Sequence, residues 1–316
     1  MTEPDLSWLS SGRYVSDGGL ETDLIFHRGV DLPEFASFPL VEDAGGRELL
    51  RRYYDRYAAI ARRAGAGLTL ESPTWRANPD WGVRVGYGAA ALARVNTAAV
   101  DFLHGLREEY ADLDDVRLIG VVGPRGDGYV AGQWDDPDDA AEYHRPQVAA
   151  LAHAGADLVA AYTLTTPEEG IGIVRAARSA GVPVLAGFTV ETDGRLPDGT
   201  TLRDAVERVD AEDAPDGFIV NCAHPTHIAP GLTDGAWRRR IVQVNPNAST
   251  QSHAELDAAE TLDEGDLDLL TSSYDALRPL LPSLGIVGGC CGTDARHVAA
   301  LWGVGATERQ STRTRV

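Results

Sequence analysis

Cysteine and methionine are scarce in this sequence of 316 residues, which contains three cysteines and one methionine. All three cysteines stand in two short motifs, so no thiol is left for a role elsewhere in the chain. Basic residues are also few: 28 lysine and arginine residues face 48 acidic residues, and the formal net charge at pH 7 is -20. This surplus of negative charge argues against nucleic acid or an anionic membrane as a partner.

Long apolar stretches are missing as well. No run approaches the roughly 20 residues that a membrane-spanning helix needs. Residues 1–12 carry no basic segment followed by an apolar one, as a secretory leader would. We therefore expect a cytoplasmic protein, in a reducing compartment where cysteines remain thiols or thiolates. The sequence leaves open whether the chain forms a homo-oligomer.

Eight short apolar runs recur along the chain, as the buried strands of a parallel sheet do. They cover residues 13–20, 66–72, 116–123, 156–163, 182–190, 217–221, 241–245 and 284–289. Between them, apolar residues at three- and four-residue spacing predict amphipathic helices over residues 46–64, 89–110, 138–154 and 167–180. Gly65, Gly155 and Gly181 stand where the end of a helix favours a left-handed residue.

Eight alternations of strand and helix predict a single (β/α)8 barrel, an α/β fold whose active site lies at the C-terminal ends of the strands. The barrel domain is predicted over residues 1–305, and the polar residues 306–316 are predicted to be disordered. A doubly wound open sheet is the alternative, but no Gly-x-Gly-x-x-Gly motif follows the first strand. Two long loops, residues 127–136 and 245–265, are predicted to face the substrate, with a contact between subunits as the alternative for either.

The cysteines follow two of the predicted strands. Asn221-Cys222-Ala223-His224-Pro225 comes directly after residues 217–220, and Gly288-Gly289-Cys290-Cys291-Gly292 follows residues 284–287. Parallel strands bring their carboxyl ends to the same rim, so we expect the three sulfur atoms to lie together. Three thiolates on one side form a soft ligand set that suits zinc and leaves one tetrahedral position for a substrate.

Other interpretations of the cysteines stay open. Cysteine is often a small buried residue without chemistry, and an adjacent pair can form a redox disulfide. A structural zinc site needs a fourth protein ligand, for which His224 is the only near candidate, although a histidine in a His-Pro loop is more often an ordinary loop residue. The glycines around Cys290 and Cys291 indicate a turn, and we favour the open catalytic site.

Four motifs carry a resemblance to a known family. They are Asp17-Gly18-Gly19 after the first strand, Val220-Asn221-Cys222 with His224-Pro225 after the sixth, Pro246-Asn247-Ala248 after the seventh and Gly288-Gly289-Cys290-Cys291-Gly292-Thr293 after the eighth. In this order they resemble the homocysteine S-methyltransferase family, which includes betaine-homocysteine and S-methylmethionine-homocysteine methyltransferases. The resemblance runs from about residue 12 to residue 302, and its paired Asn-Cys and Gly-Gly-Cys-Cys-Gly motifs are highly specific.

The resemblance implies a (β/α)8 barrel in which Cys222, Cys290 and Cys291 bind zinc and the substrate thiol takes the open position. A free thiol has a pKa of about 8.5, and coordination to zinc deprotonates it. The resulting thiolate attacks the methyl group of a small sulfonium or quaternary ammonium donor. Aromatic faces attract such cations, and the candidates at the rim are Trp75, Trp81, Trp134 and Tyr162, although ordinary packing is the commoner role for each.

One position departs from the family pattern. Relatives end the fourth strand with a glutamate that helps to bind the substrate amino group, whereas this chain has Tyr162 there. Asp17 matches the family's other carboxylate at the amine, and Glu71 ends the second strand at a position usually uncharged in relatives. We hypothesise that Glu71 compensates, with Glu191 as a second substitute, or that the acceptor is not homocysteine. The ordinary expectation for either residue is a solvent-exposed carboxylate at the rim of the barrel.

The remaining residues carry weaker signals. Asn221 and Asn247 stand beside the metal ligands or in the neighbouring loop, where an asparagine can orient a ligand, contact the substrate or occupy a turn. Gly18 and Gly19 either let backbone amides approach a carboxylate or close a tight turn. No role is assigned to a group of histidines, His144, His153, His227, His253 and His297.

The sequence thus predicts a zinc-dependent S-methyltransferase that moves a methyl group from a small donor to homocysteine or a close thiol analogue. A zinc-dependent barrel hydrolase or lyase is the rival enzyme, but it normally uses histidine or carboxylate ligands and a nearby general base. A relative that binds the thiol without turnover is the non-enzymatic rival, and Tyr162 keeps that interpretation open.

Overall fold

The strands form one closed parallel barrel in chain order. The structure, a computed structural model, describes residues 5–11, 13–131, 134 and 136–305. Each strand pairs with the next, and the eighth pairs with the first. The predicted (β/α)8 barrel is therefore confirmed against the open sheet. Its strands are β1 Tyr14–Val15, β2 Gly67–Glu71, β3 Val116–Val122, β4 Leu158–Leu164, β5 Val184–Phe188, β6 Gly217–Asn221, β7 Ile241–Asn245 and β8 Ile286–Val287.

The first and last strands are shorter than the apolar runs that predicted them. Hydrogen bonding nevertheless continues past their ends, since Ser16 N donates to Val287 O (3.0 Å) and Gly289 N donates to Asp17 O (2.7 Å). The chain leaves strand geometry at both places because it turns there into the wall of a cavity. The Asp17-Gly18-Gly19 motif and the cysteine pair after β8 are thereby held side by side.

Helices follow most of the strands and surround the barrel. The four predicted helices are confirmed within two residues at each end, and Gly65 and Gly181 end two of them in the left-handed conformation (φ 56 and 69). Within the described residues the α-helices are α1 Trp8–Ser11, α2 Leu20–Thr22, α3 Ala44–Ala64, α4 Pro79–Arg84, α5 Ala89–Glu109, α6 Pro137–His153, α7 Pro167–Ala180, α8 Leu202–Glu212, α9 Pro225–Gly231, α10 His253–Asp257, α11 Leu267–Leu277 and α12 Ala295–Leu301.

Apolar side chains fill the fold in two layers. One layer lies inside the barrel, where alternate residues of a strand point inward, such as Leu158 and Ala160 of β4. The N-terminal helix α1 joins this layer, because Trp8 packs edge-on against Tyr14 with ring centroids 5.0 Å apart. The other layer separates the strands from the helices. Buried polar side chains gather toward the carboxyl ends of the strands, for example Glu71, Asn221 and Asn245, where the candidate site lies.

None of the helices in the described part of the chain combines the length and the apolar composition needed to span a bilayer. Residues 306–316, which the sequence predicts to be disordered, lie outside the described residues. That prediction and the exact limits of the barrel domain therefore stay predictions.

Candidate metal centre and substrate cavity

The three cysteines lie together at the carboxyl ends of β6 and β8, where they form the thiol cluster (Cys222, Cys290 and Cys291). Their sulfur atoms all lie within 4.8 Å of one another, and Cys222 Sγ is 3.6 Å from Cys291 Sγ. A tetrahedral zinc ion with Zn–S bonds of about 2.3 Å sets its sulfur ligands roughly 3.8 Å apart. The observed spacing is therefore close to that of a zinc site, and the convergence expected from the strand ends is found.

Cys222 is positioned through its own backbone carbonyl. Asn247 Nδ2, His253 Nε2 and Thr189 Oγ1 all donate to this oxygen, at 3.0, 2.8 and 3.2 Å. Cys222 itself has a left-handed backbone (φ 56), a conformation that costs a residue with a side chain about 1–2 kcal/mol. Three donors from other loops thus hold the thiol in a conformation that the local sequence alone disfavours.

Glycines allow the adjacent cysteines to share one side of the turn after β8. Gly292 has φ 76, and a Cβ atom on Gly289 would lie 2.1 Å from Thr293 Oγ1. Thr293 N and Oγ1 both donate to Cys290 O, at 3.0 and 2.7 Å, and Cys290 N donates to Pro246 O at 2.8 Å. The turn is therefore fixed against the loop after β7, which also carries Asn247.

A tyrosine hydroxyl lies against two of the sulfur atoms. Tyr129 Oη is 3.2 Å from Cys222 Sγ and 3.5 Å from Cys291 Sγ. Its ring stacks on the imidazole of His253, with centroids 4.1 Å apart and an interplanar angle of 11°. Because His253 also bonds to Glu191 through Nδ1 (2.8 Å), the aromatic stack is tied to the loop after β5.

Asn221 supports the cluster from the end of β6. Its Nδ2 donates to Thr163 Oγ1 (2.8 Å) and lies 3.9 Å from Cys290 Sγ, while Thr163 N donates to its Oδ1 (2.9 Å). Within the cluster, side-chain hydrogen bonds from Cys222 and Cys290 hold the pKa of Cys291 well below that of a free thiol. The bonds from Cys222 and Cys291 act in the opposite direction on Cys290 and raise its pKa, so the three thiols form one coupled group.

A cavity of about 370 Å³ opens beside the thiol cluster, a volume within the range of small-molecule sites. All three cysteines line it, and so do Asp17, Glu71 and Tyr162. Of the aromatic candidates, Trp75 also lines it, whereas Trp81 and Trp134 do not. Aromatic residues that the sequence analysis did not single out, Phe26, Phe35 and Tyr129, complete this part of the lining.

Glu71 is the centre of a buried hydrogen-bond network inside the upper barrel, the carboxylate network (Glu71, Ser16, Tyr162, Gln243 and Asn245). Glu71 Oε1 accepts bonds from Tyr162 and Ser16, both at 2.5 Å, and from Gln243 at 3.1 Å. Gln243 Nε2 also donates to Tyr162 Oη (2.7 Å) and Asn245 Oδ1 (3.0 Å). Tyr162 therefore supports a carboxylate that another strand delivers, and Glu71 is not a solvated rim residue.

Six carboxyl residues line the cavity, and three of them, Asp17, Glu21 and Glu71, have few compensating charges. Burial raises the pKa of Asp17 well above its usual value, and the neighbouring Glu71 and Glu21 raise it further. Burial likewise raises the pKa of Glu71, although the bonds from Ser16, Tyr162 and Gln243 act to lower it. Burial also raises the pKa of Glu21. A cation bound among them would offset both the repulsion and the desolvation.

The other predicted binding residues act mainly within the protein. Gly18 N donates to Tyr53 Oη (3.1 Å) and Gly19 N to Thr293 O (3.1 Å), so these amides already have partners. A Cβ atom on Gly19 would lie 2.6 Å from Cys290 O, which means that this glycine permits close contact with the thiol cluster. Asn247 lines no part of the cavity and contacts the site through the Cys222 carbonyl.

His224 and Glu191 have structural positions. The His224 side chain accepts a bond from Thr226 N at the start of α9, and its nitrogen atoms are not part of the cysteine group. Glu191, the second predicted substitute for the amine anchor, is not in the cavity wall and bonds to His253.

Sequence reasoning missed four residues of the site: Tyr129, His253, Gln243 and Arg76. Tyr129 and His253 fall in the two loops predicted to face the substrate, but nothing in the sequence distinguished them from their neighbours. Gln243 offered a clearer signal, because it is a polar residue inside the apolar strand β7. Arg76 lies in the loop after β2 and is the only basic residue among the described residues of the cavity wall, but its sequence neighbours do not predict that position.

Comparison with known proteins identifies the family of this chain. The sequence profile of the homocysteine S-methyltransferase family matches residues 14–303. Two homocysteine S-methyltransferases align over 304 residues: YbgG of Bacillus subtilis (strain 168) is 25% identical, covering 90% of this chain and 91% of its own length, and the Escherichia coli (strain K12) enzyme is 28% identical, covering 90% and 93%. The chain therefore belongs to the homocysteine S-methyltransferase family, whose members are thiol S-methyltransferases.

Solved structures show the same fold. The homocysteine methyltransferase MmuM from Escherichia coli superposes in its oxidized form with a TM-score of 0.72 at 24% identity, covering 92% of this chain and 95% of that one. Its metallated form gives a TM-score of 0.71 at 23% identity, covering 93% and 96%. The predictions of family, barrel fold and enzyme class are thus confirmed.

Proposed function

We propose that this protein is a zinc-dependent enzyme that moves a methyl group from a small sulfonium or quaternary ammonium donor to homocysteine or a close thiol analogue, giving methionine or the corresponding thioether. The observation that carries the proposal is the convergence of three thiols on the wall of a small-molecule cavity. Membership of the family supports the reaction, whereas the metal, the donor and the exact acceptor belong to the proposal.

The thiol cluster fits zinc in ligand chemistry and in spacing. Cys222, Cys290 and Cys291 would hold the ion as soft thiolate ligands, and their sulfur atoms are close enough to share it. Three protein ligands leave the fourth tetrahedral position open, as in catalytic sites. When bound, zinc keeps a coordinated thiol deprotonated at neutral pH, which supplies the nucleophile.

The acidic part of the cavity would receive the ammonium group of the acceptor. Glu71 and Asp17 both line the cavity, and burial raises the pKa of both. An ammonium group stabilises the charged form of a carboxylate beside it. We therefore assign binding of the acceptor amine to Glu71 and Asp17. Tyr162 would hold Glu71 in place through its 2.5 Å hydrogen bond.

The transfer itself requires little from acid or base groups. The new S–C bond forms from a lone pair of the acceptor sulfur, while the bond from the methyl carbon to the donor heteroatom breaks. Its electron pair stays on the donor and neutralises the positive charge. Phe26, Phe35 and Trp75 in the cavity wall would favour the cationic donor and keep water away from the reacting atoms.

A hydrolase or lyase is less well supported. Among the described residues, the ligand group around the cavity contains only cysteine, and no histidine or carboxylate joins it. Zinc hydrolases usually combine such ligands with an activated water. An all-sulfur set instead suits alkylation of a thiolate.

The proposal is tested by incubating the purified protein with homocysteine and a panel of methyl donors and identifying the product by mass. Zinc is measured by elemental analysis in the same protein and in Cys290→Ser. We expect a methylated thioether and about one equivalent of zinc, falling to almost none in the variant. The matched control Glu71→Gln should keep its zinc, because that side chain does not touch the cluster.

Absence of product with every donor would contradict the proposed activity and favour a relative that binds the thiol without turnover. A full equivalent of zinc in Cys290→Ser would contradict the proposed metal site. A cytoplasmic location and the formation of homo-oligomers stay predictions of the sequence.

A further inference from the structure

Arg76 is a buried arginine in the cavity wall. It lies in the loop that follows Glu71 at the end of β2, and it is 9% exposed. Its guanidinium lies over two indole rings, with Cζ 4.3 Å from the ring centroid of Trp75 and 3.4 Å from that of Trp81. Stacking on aromatic faces fixes the plane of a guanidinium and so prepares it for a ligand of matching shape.

No carboxylate of the described residues pairs with this guanidinium within 4.0 Å. Within the described part of the chain its one hydrogen bond runs from Nη1 to Gly126 O at 3.4 Å, and the buried Nε has no partner there. By contrast, Arg56, which is also largely buried, is 2.6 Å from the carboxylate of Asp23. Burial lowers the pKa of Arg76 to about 10, although Asp127 and Glu21 act against this from a distance.

A buried charge without a partner is unfavourable, and an anion that pairs with it removes much of the cost. The planar fork of arginine matches a carboxylate, which can accept two parallel bonds. Arg76 is also the only basic residue among the described residues that line the cavity. The other ionisable groups in this lining are carboxyl groups, thiols and the hydroxyl groups of Tyr129 and Tyr162. A carboxylate entering the cavity would therefore be attracted to Arg76 and repelled elsewhere.

The position of Arg76 relates it to the methyl donor. In the proposed function, the acceptor occupies the strand ends, with its sulfur at the thiol cluster and its ammonium at Glu71 and Asp17. Arg76 lies beyond the end of β2, in a wall that also contains Phe26, which is 45% exposed and so marks the mouth. In a displacement the leaving group departs on the side of the methyl carbon opposite the attacking sulfur, so the rest of the donor extends away from the cluster.

We propose that Arg76 is a specificity-determining residue whose guanidinium pairs with a carboxylate of the methyl donor. The enzyme then selects donors in which a methylated sulfonium or ammonium is joined by a short chain to a carboxylate. This inference rests on the proposed function and deepens it. Transfer leaves the electron pair of the broken bond on the donor heteroatom, and the donor departs as a neutral thioether or amine that still carries its carboxylate.

The test compares two donors that differ only in the anion, 3-(dimethylsulfonio)propanoate and its methyl ester, with homocysteine as the acceptor. For the wild-type enzyme we expect kcat/KM to be about 30-fold higher for the acid, in line with the loss of one partner of a buried charge pair. In Arg76→Gln the preference should fall to within about threefold of unity, while the KM of homocysteine stays unchanged. Arg76→Lys should restore part of the preference.

Arg84→Gln is the matched control, because Arg84 also stacks on Trp81 (4.3 Å) but does not line the cavity. It should keep the wild-type preference. Equal use of acid and ester by the wild type would overturn the inference, and so would a rise in the KM of homocysteine in place of the donor effect. A loss of folding stability in Arg76→Gln with the preference intact would assign Arg76 a structural role and overturn it as well.

Failure of the proposed function can be told apart from failure of the inference by a binding measurement that needs no turnover. Calorimetric titration with 3-(methylthio)propanoate and its methyl ester should show tighter binding of the acid to the wild type, and no such difference for Arg76→Gln. If no donor is turned over but this difference is found, the inference about Arg76 holds and the proposed activity does not. If both compounds bind the wild type equally, the inference is wrong.

Discussion

The thiol cluster and the carboxylate network line one cavity, yet they are built in different ways. The sulfur atoms come from two short motifs, and each motif turns immediately after a strand. The carboxylate network joins side chains on or next to β1, β2, β4 and β7, and its bonds run across the barrel interior. One part therefore depends on local turns, and the other depends on the closure of the whole barrel.

The difference also shows in how each part is stabilised. Cys222 is held through a backbone oxygen by Asn247, His253 and Thr189, and these three bonds do not involve its sulfur atom. Glu71 is held directly by the side-chain donors that bond to its carboxylate. We expect damage to the first part to affect the metal and damage to the second to affect the acceptor.

The largest expected effect is the removal of a thiol. Cys291→Ser should lose its zinc and reduce kcat/KM by more than the ~10- to 100-fold typical for residues that only support a metal ligand. Elemental analysis and steady-state kinetics measure both. A variant that retained zinc and near-normal turnover would break the distinction between the two parts of the cavity.

Loss of the buried carboxylate charge should come next. Glu71→Gln is expected to raise the KM of the acceptor about 30-fold, because removing one partner of a buried charge pair commonly costs about 2 kcal/mol or more. Zinc content should not change. Glu34→Gln, an exposed glutamate paired with Arg84, serves as the control, and an unchanged KM in Glu71→Gln would refute the proposed amine site.

Asn247→Ala tests the support of the thiol cluster. One of three bonds to the Cys222 carbonyl is lost, so we expect zinc affinity to fall by about 10-fold, with little effect on the KM of the acceptor. Competition with a chelator of known affinity measures the change. A raised KM with unchanged zinc affinity would indicate direct contact with the substrate instead.

Tyr162→Phe should have a smaller effect that depends on pH. The Tyr162 hydrogen bond lowers the pKa of Glu71, so its removal raises that pKa further and the carboxylate is protonated at a higher pH. As the pH falls, the KM of the acceptor should therefore begin to rise at a higher pH in the variant than in the wild type. Superimposable pH profiles of KM would show that Tyr162 does not support the charge of Glu71.

Local features of the sequence predicted much of the fold. The apolar runs placed all eight strands, and Gly65 and Gly181 marked helix ends because a left-handed residue there is a local requirement. The prediction overextended β1 and β8, since the turns beside the cavity begin directly after these strands, at Ser16 and at Gly288.

The candidate site was predictable only in part. The thiol cluster followed from motifs that are contiguous in the chain. The bonds of Glu71 to Tyr162 and Gln243 did not, because they depend on which strands face each other across the closed barrel. Tyr129 and the stacking of Arg76 on Trp75 and Trp81 depend on how loops fold over the barrel mouth, and no residue spacing encodes that.

The left-handed backbone of Cys222 has a consequence for evolution and for engineering. Glycine adopts this conformation freely, so Cys222→Gly should unfold at a higher temperature than Cys222→Ala, by an amount that corresponds to about 1 kcal/mol, although both are inactive. Equal melting temperatures would argue against it. The conformation that positions this sulfur is thus one in which a residue without a side chain is less strained, so variants selected for thermostability should be screened for turnover at every round.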